Sequence, residues 1–288
     1  MNVLRLMQTV DRRWLYAMLL LSVTIPFFLK IRLPVTVSPA TQTLYDNIER
    51  LPEGSFVLFG VDWAAGTRGE NGAQTEVLMR HLMRRKLRFA LLAFDPQATT
   101  LSQAIALRLQ TEYNHDHPEY GVKEGVTWVN WGYKVDQVNF LKAFVQDIRK
   151  TVSTDTHSQP LAELQVMQHV NSAKDVALIL DVNPTPSFQN YIQFMQQPYK
   201  IPMGFAPTAV MAPEAYNYLD SGQLIGMLNG LQGAIEYEQQ LGVVGRATIG
   251  SNSLSLAHLV IIFLILMGNV AMLLERRQKA KANMESMR

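Results

Sequence analysis

Two long apolar runs lie in the sequence, one near each end. Trp14 to Leu29 contains 16 residues without a charge, and Leu256 to Leu274 contains 19. Because about 20 apolar residues cross the hydrocarbon core of a bilayer, the pattern predicts transmembrane helices over residues 14–30 and 256–274. Lys30 and Arg32 follow the first run directly, which favours an uncleaved signal anchor over a cleaved signal peptide.

Between these runs, short apolar segments alternate with amphipathic ones. Helical periodicity occupies residues 73–86, 99–113, 135–152 and 160–170, and the segments predicted as strands are residues 55–63, 88–95, 126–133, 175–182 and 199–208. Strands that are apolar throughout and separated by helices are typical of a parallel sheet covered on both faces. The sequence therefore predicts an α/β, Rossmann-like, doubly wound and mainly parallel sheet of about five strands, flanked by one N-terminal and one C-terminal transmembrane helix.

The same pattern divides the chain into a single soluble domain and its membrane connections. Residues 55–245 are the predicted α/β domain, and proline-rich or polar stretches join it to the two spans. The remaining predicted parts are a tail at 1–13, a linker with one short helix at 31–54, a linker at 246–255 and a basic tail at 275–288.

Residues 221–240 have the length and apolar content of a helix, yet they contain four glycines. On a helical wheel, Gly222, Gly226, Gly230 and Gly233 share an arc of about 80°, opposite the apolar side. Each glycine costs a helix interior roughly 0.5–1 kcal/mol, so we expect this face to pack closely against something. A neighbouring element of the same chain, a neighbouring subunit and a ligand are the three alternatives.

Positive charge is concentrated beside the outer ends of the two apolar runs. Three arginines precede the first run and five basic residues follow the second, so the positive-inside rule predicts that both termini are cytoplasmic. Residues 31–255 then lie outside the cytoplasmic membrane, which in a bacterium means the periplasm. The two tails together carry a net charge of +5, whereas the whole chain has a formal net charge of +2. The remainder is therefore about −3, which argues against nucleic acid as a partner.

Three aspartates fall at the ends of predicted strands: Asp62, Asp95 and Asp181. Ligands of open parallel sheets bind beyond the carboxyl ends of the strands, although aspartate also ends strands as a turn former or helix cap. The residues that follow these aspartates match neither of two known aspartate motifs, DxSxS and DxDx[TV]. With no cysteine in the chain and no histidines at the spacing of helical zinc ligands, the sequence predicts no metal site and no cofactor.

The loop after the first strand contains Gly66, Gly69 and Gly72 at intervals of three, with Arg68 among them. Such a loop suits a phosphate at a helix N-terminus, but it lacks GxGxxG and the lysine of a P-loop. A surface loop with Asn71 as helix cap is the alternative.

No residue pattern identifies a catalytic group, so the preferred hypothesis describes a protein that is not an enzyme. It is a membrane-anchored structural subunit of a homo-oligomeric envelope assembly, with the bilayer and other membrane or envelope proteins as partners. The alternative is a membrane-tethered domain that binds or senses a ligand near Asp62, Gly66, Arg68, Asp95 and Asp181. A metal-dependent hydrolase using the same carboxylates is the third hypothesis.

Overall fold

The α/β region is built on a six-stranded, all-parallel sheet in the order β3-β2-β1-β4-β5-β6. The computed structural model describes residues 11–29 and 34–286, and all structural statements concern these ranges. The strands are β1 (Phe56–Val61), β2 (Arg88–Ala93), β3 (Trp128–Tyr133), β4 (Leu178–Val182), β5 (Met203–Ala206) and β6 (Gly226–Met227).

Helices connect successive strands and cover both faces of the sheet. The helices are α1 (Arg12–Phe28), α2 (Pro39–Glu49), α3 (Asn71–Arg84), α4 (Pro96–Asp116), α5 (Gln137–Phe144), α6 (Ile148–Thr151), α7 (Phe188–Tyr191), α8 (Gln197–Tyr199), α9 (Ala212–Asp220), α10 (Gly230–Leu241) and α11 (Arg246–Ser286). A π-helical turn, Ile192–Gln196, joins α7 to α8. Parallel strands need such crossovers, because a tight turn cannot connect their ends.

Side chains of the sheet alternate between two apolar layers. Along β1, Val57 and Phe59 belong to the layer beneath α3, α4 and α10, whereas Phe56 and Leu58 belong to the layer beneath α5 to α9. All six residues of β1 are buried. Burial on both faces explains the continuous apolar strands in the sequence, and confirms the prediction of a Rossmann-like parallel sheet.

Two compact units make up the chain, and the first is Pro34–Ala247, which contains the whole sheet. The second contains the apolar helix α1 and the chain from Thr248 onward. Within it, α1 has 17 residues and exposes large apolar side chains such as Trp14 and Phe28.

The C-terminal helix supports one membrane span by its composition. Arg246–Arg277 is the single stretch among the described residues that is long and apolar enough to cross a bilayer, and its most apolar 18 residues have a mean hydropathy of 2.4. The helix α1, with 17 residues, is at the short end of the range of roughly 17–25 residues that a span takes. Residues 1–10 of the predicted N-terminal tail, Lys30 at the end of the predicted span and residues 31–33 of the first linker, with Arg32, lie outside the described residues.

Several predicted elements differ from the structure. The sheet has a sixth strand, residues 135–152 form two short helices rather than one, and residues 160–170 contain only 3-10 turns. The predicted linker at 246–255 is helical, because it forms the first turns of α11. The short helix in the first linker is α2, and it packs into the domain through Leu44 and Ile48.

The prediction of one helix over residues 221–240 is wrong. Helix α9 ends at Asp220, and the chain turns at Gly222 with a φ of +73°. Gly226 then lies in the sixth strand, β6, where it pairs with Gly204 of β5. Helix α10 begins only at Gly230. Pairing with β5 satisfies the backbone of β6, so tertiary structure overrides the helical periodicity. The four glycines therefore lie in three different local structures, a turn, the strand β6 and the first turn of α10, and do not form one helical face.

Three of these glycines lie against backbone of the same chain. A Cβ on Gly226 would be 2.6 Å from the amide nitrogen of Leu44 in α2, and one on Gly233 would be 2.6 Å from the carbonyl carbon of Leu228. A Cβ on Gly230 would be 3.0 Å from the amide nitrogen of Ala209. The space beside Gly222 is open within 4 Å. The close approach made by Gly226 lets α2 cover the exposed edge of β6.

A buried polar cluster joins α2, α3 and α10 on one face of the sheet. Its centre is His81, whose Nδ1 lies 2.6 Å from the Tyr237 hydroxyl and whose Nε2 lies 3.2 Å from a Glu49 oxygen. The Tyr45 ring stacks on the imidazole at 4.6 Å. Burial, followed in size by the positive charge of Arg84, lowers the pKa of His81 to about 4. His81 is therefore neutral at physiological pH.

Candidate functional site

The strand order creates a crevice between β1 and β4. From β1 the chain proceeds outward to β2 and β3, and from β4 it proceeds in the opposite direction to β5 and β6. Helices that follow the two central strands consequently lie on opposite faces, and the carboxyl ends between them are where open α/β sheets bind ligands. Asp62 follows β1 directly and Asp181 lies in β4.

Strand register places both aspartates on the same face of the sheet. Gly60 pairs with Asp181 across the β1/β4 ladder, and Asp62 is two residues beyond Gly60, so their side chains share one face. A Cβ on Gly60 would lie 2.7 Å from Asp181 Oδ1 and 2.9 Å from the hydroxyl of Tyr191. Gly60 thus leaves the space into which these two oxygens converge.

Each aspartate uses one carboxylate oxygen in a hydrogen bond and leaves the other free. The Phe94 amide donates to Asp62 Oδ1, and Asn183 Nδ2 donates to Asp181 Oδ2 at 3.4 Å. Asp62 Oδ2 and Asp181 Oδ1 are buried without a hydrogen-bond partner. The same is true of the Tyr191 hydroxyl and of Nε2 of Gln137, which acts on that hydroxyl. Buried polar atoms in folded proteins are nearly always paired, so four free ones in one place distinguish this cluster.

Burial keeps the two carboxyl groups protonated at pH values above those at which an aspartate side chain ordinarily ionises. Burial, together with the smaller effect of the negative charge of Asp95, raises the pKa of Asp62 to about 7. Burial also raises the pKa of Asp181 well above its ordinary value, followed in size by the charge of Asp62. The pair therefore holds at least one proton at neutral pH, as two neighbouring carboxyl groups in an apolar site do.

A polar path runs from this pair toward the surface through the loop after β4. Asn183 donates to Ser187 Oγ at 2.7 Å, and Ser187 Oγ lies 2.8 Å from the hydroxyl oxygen of Thr185. Asn183 is buried, whereas Thr185 is exposed. The path connects Asp181 to the outer edge of the crevice.

Tyr191 enters the site because of an irregular helix. It is the last residue of α7, and the π-helical turn begins at Ile192. A π turn accommodates one more residue than an α turn, and such turns are frequent at functional sites. The Tyr191 ring is buried, and the negative charges of the two aspartates add to burial in raising its pKa.

The structure separates the five ligand-binding residues predicted from the sequence. Asp62 and Asp181 belong to the carboxyl pair, and Asp95 instead caps α4 by accepting a hydrogen bond from the Gln97 amide at 2.7 Å. Gly66 and Arg68 are exposed in the loop after β1, and no ion pair between described residues joins Arg68 to either carboxylate.

Sequence reasoning missed Gly60, Gln137, Asn183 and Tyr191. A glycine inside an apolar strand, two residues before Asp62, signals close approach of another group, and Asn183 lies on the same face as Asp181 at a spacing of two. Tyr191 and Gln137 come from helices far along the chain and carry no local signal.

Chemically, the cluster presents hydrogen-bond acceptors and one exchangeable proton. Among the described residues, no group of three or more His, Cys, Asp or Glu side chains is arranged to hold a metal ion. Two cavities lie elsewhere: one of about 170 Å³ beside Arg80 and His117, and one of about 450 Å³ between Thr43 and Leu224.

Comparison with known proteins gives little further information. No family model matches the chain, and no curated protein matches it. A solved structure of a trehalose-6-phosphate synthase aligns with a TM-score of 0.33 and 12% sequence identity, over 85% of this chain and 47% of that chain. The chain thus spans about half the length of that structure, and a likeness of this strength is too weak to indicate a shared function.

Proposed function

We propose that this protein is a membrane-anchored ligand-binding domain, with its site in the crevice between β1 and β4. The observation that carries the proposal is the set of four buried, unpaired polar atoms on Asp62, Asp181, Tyr191 and Gln137. Leaving a buried polar atom unpaired costs roughly 1–3 kcal/mol. Folded proteins keep such unpaired polar groups where the groups bind a ligand.

The location of the cluster supports the same proposal independently. It lies at the switch point of the strand order, where open α/β sheets bind ligands because the flanking helices diverge. Strongly raised carboxyl pKa values in a crevice are also typical of functional sites. We propose binding rather than a reaction, because the free carboxyl and hydroxyl oxygens of the cluster supply hydrogen-bond acceptors and one exchangeable proton.

Thermal unfolding of the full chain in nanodiscs, with a panel of small polar compounds, tests this function. A ligand of the folded protein at 100 times its Kd stabilises it by about 2.7 kcal/mol. We expect at least one compound to raise the unfolding temperature of the wild type but not of the Asp62→Asn, Asp181→Asn double variant. An Asp116→Asn variant, altered at an exposed carboxylate, is the matched control. If every stabilising compound acts equally on all three proteins, the crevice is not the site.

We also propose that both apolar helices cross the membrane, with both termini cytoplasmic and residues 34–247 outside. The length and hydropathy of Arg246–Arg277, the exposed apolar side chains of α1 and the basic tails support this topology.

The absence of cysteine from the chain makes a labelling test of this topology clean. A membrane-impermeant maleimide should label Ser153→Cys in intact spheroplasts, and should label Ser286→Cys only after lysis. The reverse pattern would overturn the orientation, and labelling of both in intact cells would overturn the two-pass topology.

The homo-oligomeric assembly inferred from the sequence stays a prediction, and the structure weakens the main argument for it, which was the glycine face. Three of the four glycines that suggested a packing face lie against other parts of the same chain instead. The mass of the nanodisc-embedded protein by light scattering decides the question, because a monomer would exclude the assembly and leave the binding proposal intact.

A further inference from the structure

The carboxyl pair lacks a counter-cation. Buried carboxylates normally pair with a positive charge or bind a metal ion, and no ion pair among the described residues involves Asp62 or Asp181. The charged or titratable groups that act on the two carboxyls and on Tyr191 are Asp95 and the three groups themselves, and all of these are acids. The described residues therefore supply no positive charge that would stabilise this pair.

The unpaired atoms also have a defined hydrogen-bonding character. Asp62 Oδ2, Asp181 Oδ1 and the hydroxyl oxygen of Tyr191 are three acceptors that lack a partner. Two of them approach Gly60 from the same side, since Asp181 Oδ1 and the Tyr191 hydroxyl would lie 2.7 and 2.9 Å from a Cβ on that residue. A primary ammonium group has one positive charge and three N–H donors in a compact tetrahedral head. Its donors match the three acceptors in number.

We infer that the crevice binds a primary ammonium group between the free oxygens of Asp62, Asp181 and Tyr191. This inference rests on the binding function proposed above and names its ligand class. Binding exchanges the proton that the pair holds for the ammonium group: the N–H donors replace the carboxyl O–H, and the displaced proton leaves to solvent.

Proton exchange makes the expected affinity depend on pH. Protonation of the pair competes with the ammonium group, so the apparent Kd should rise about tenfold for each pH unit below 7. Between pH 7 and pH 5 the affinity should therefore fall about 100-fold. Asp95 lies close enough to act on Asp62, and its negative charge favours the same cation.

The experiment measures the unfolding temperature of the full chain in nanodiscs with methylammonium chloride, at pH 8 and at pH 5. Tetramethylammonium chloride at equal ionic strength is the matched probe, because it has the same charge and no N–H donor. We expect methylammonium to raise the unfolding temperature at pH 8 and to lose this effect at pH 5 and in Asp62→Asn. In Tyr191→Phe, which keeps the ring and removes one acceptor, we expect a smaller rise.

The other outcomes separate failure of this inference from failure of the proposed function. Equal effects of the two ammonium salts, or stabilisation by Mg²⁺ or Ca²⁺ but not by methylammonium, would overturn the inference. Stabilisation by a neutral polar compound alone, lost in Asp62→Asn, would also overturn it but would leave the binding function standing. If no compound acts through these residues, both fail. A lysine-containing peptide compared with butylammonium then shows whether the ammonium group comes from a protein partner or from a free amine.

Discussion

Replacing Asp62 by Asn should make the protein more stable at neutral pH. The buried carboxyl has a pKa of about 7 in the folded chain against an ordinary value of 3.8. Between these two pH values the folded state binds more protons than the unfolded state, so stability falls as pH rises through this window. Asn is neutral throughout, keeps a carbonyl oxygen for the Phe94 amide, and removes the cost of ionising the buried group.

The size of the effect follows from the two pKa values. At about 1.4 kcal/mol for each pKa unit, the ionised Asp62 destabilises the folded state by about 4 kcal/mol above pH 7. Below pH 3.8 both Asp and Asn are neutral, and the difference from this source disappears. We therefore expect Asp62→Asn to be more stable than the wild type by about 2–4 kcal/mol at pH 8 and to match it within about 1 kcal/mol at pH 3.5.

Urea unfolding of the full chain in nanodiscs, followed by tryptophan fluorescence, provides the measurement. Trp63, Trp128 and Trp131 are buried in the domain and report its unfolding, and Trp14→Phe removes the background from α1. The exposed-site variant Asp116→Asn should change stability by less than about 0.5 kcal/mol at either pH. A wild type as stable as Asp62→Asn at pH 8 would refute the reasoning, because it would mean that the carboxylate ionises in the folded state without cost.

Three further predictions concern the packing of the domain and use the same unfolding measurement. His81→Phe keeps the ring stack but removes a base whose pKa burial lowers to about 4. The loss of about 3 kcal/mol expected as pH falls from 6.5 to 4 should then disappear, and an unchanged acid profile would contradict this. Gly226→Ala should cost about 2 kcal/mol or more, because the added Cβ meets backbone of α2; Gly66→Ala, in open space, is its control, and equal effects would show that α2 moves freely. Glu76→Gln should lower the free energy of unfolding by about 2–3 kcal/mol, since three arginines form ion pairs with this buried carboxylate. A loss below about 0.5 kcal/mol would show that these ion pairs do not stabilise the fold.

Part of the candidate site was predictable from the amino-acid sequence alone. Asp62 and Asp181 were recognised because each follows or ends an apolar strand, and parallel strands bring their carboxyl ends to one edge. Asp95 met the same criterion of position, yet it caps a helix, and Arg68, predicted from the glycine-containing loop after the first strand, is exposed. Local position cannot distinguish these cases, because the difference lies in which strands are neighbours and which face each side chain takes.

The glycine segment shows the opposite error. Helical periodicity and length favoured one helix over residues 221–240, whereas pairing of Gly226 with Gly204 and the turn at Gly222 divide it. A two-residue strand has no periodicity that a sequence can reveal. Its existence depends on a free edge of β5 and on α2, which lies some 180 residues earlier in the chain.

The sequence by itself determined the class of fold, the alternation of strands and helices, and the C-terminal apolar helix, because burial on two faces or in lipid requires long apolar runs. Only the tertiary structure decided the strand order, and with it the crevice between β1 and β4. It also brought Tyr191 and Gln137, from α7 and α5, to the two aspartates. Whether a carboxylate is buried without a partner depends on contacts between residues more than 100 positions apart, and no local pattern records them.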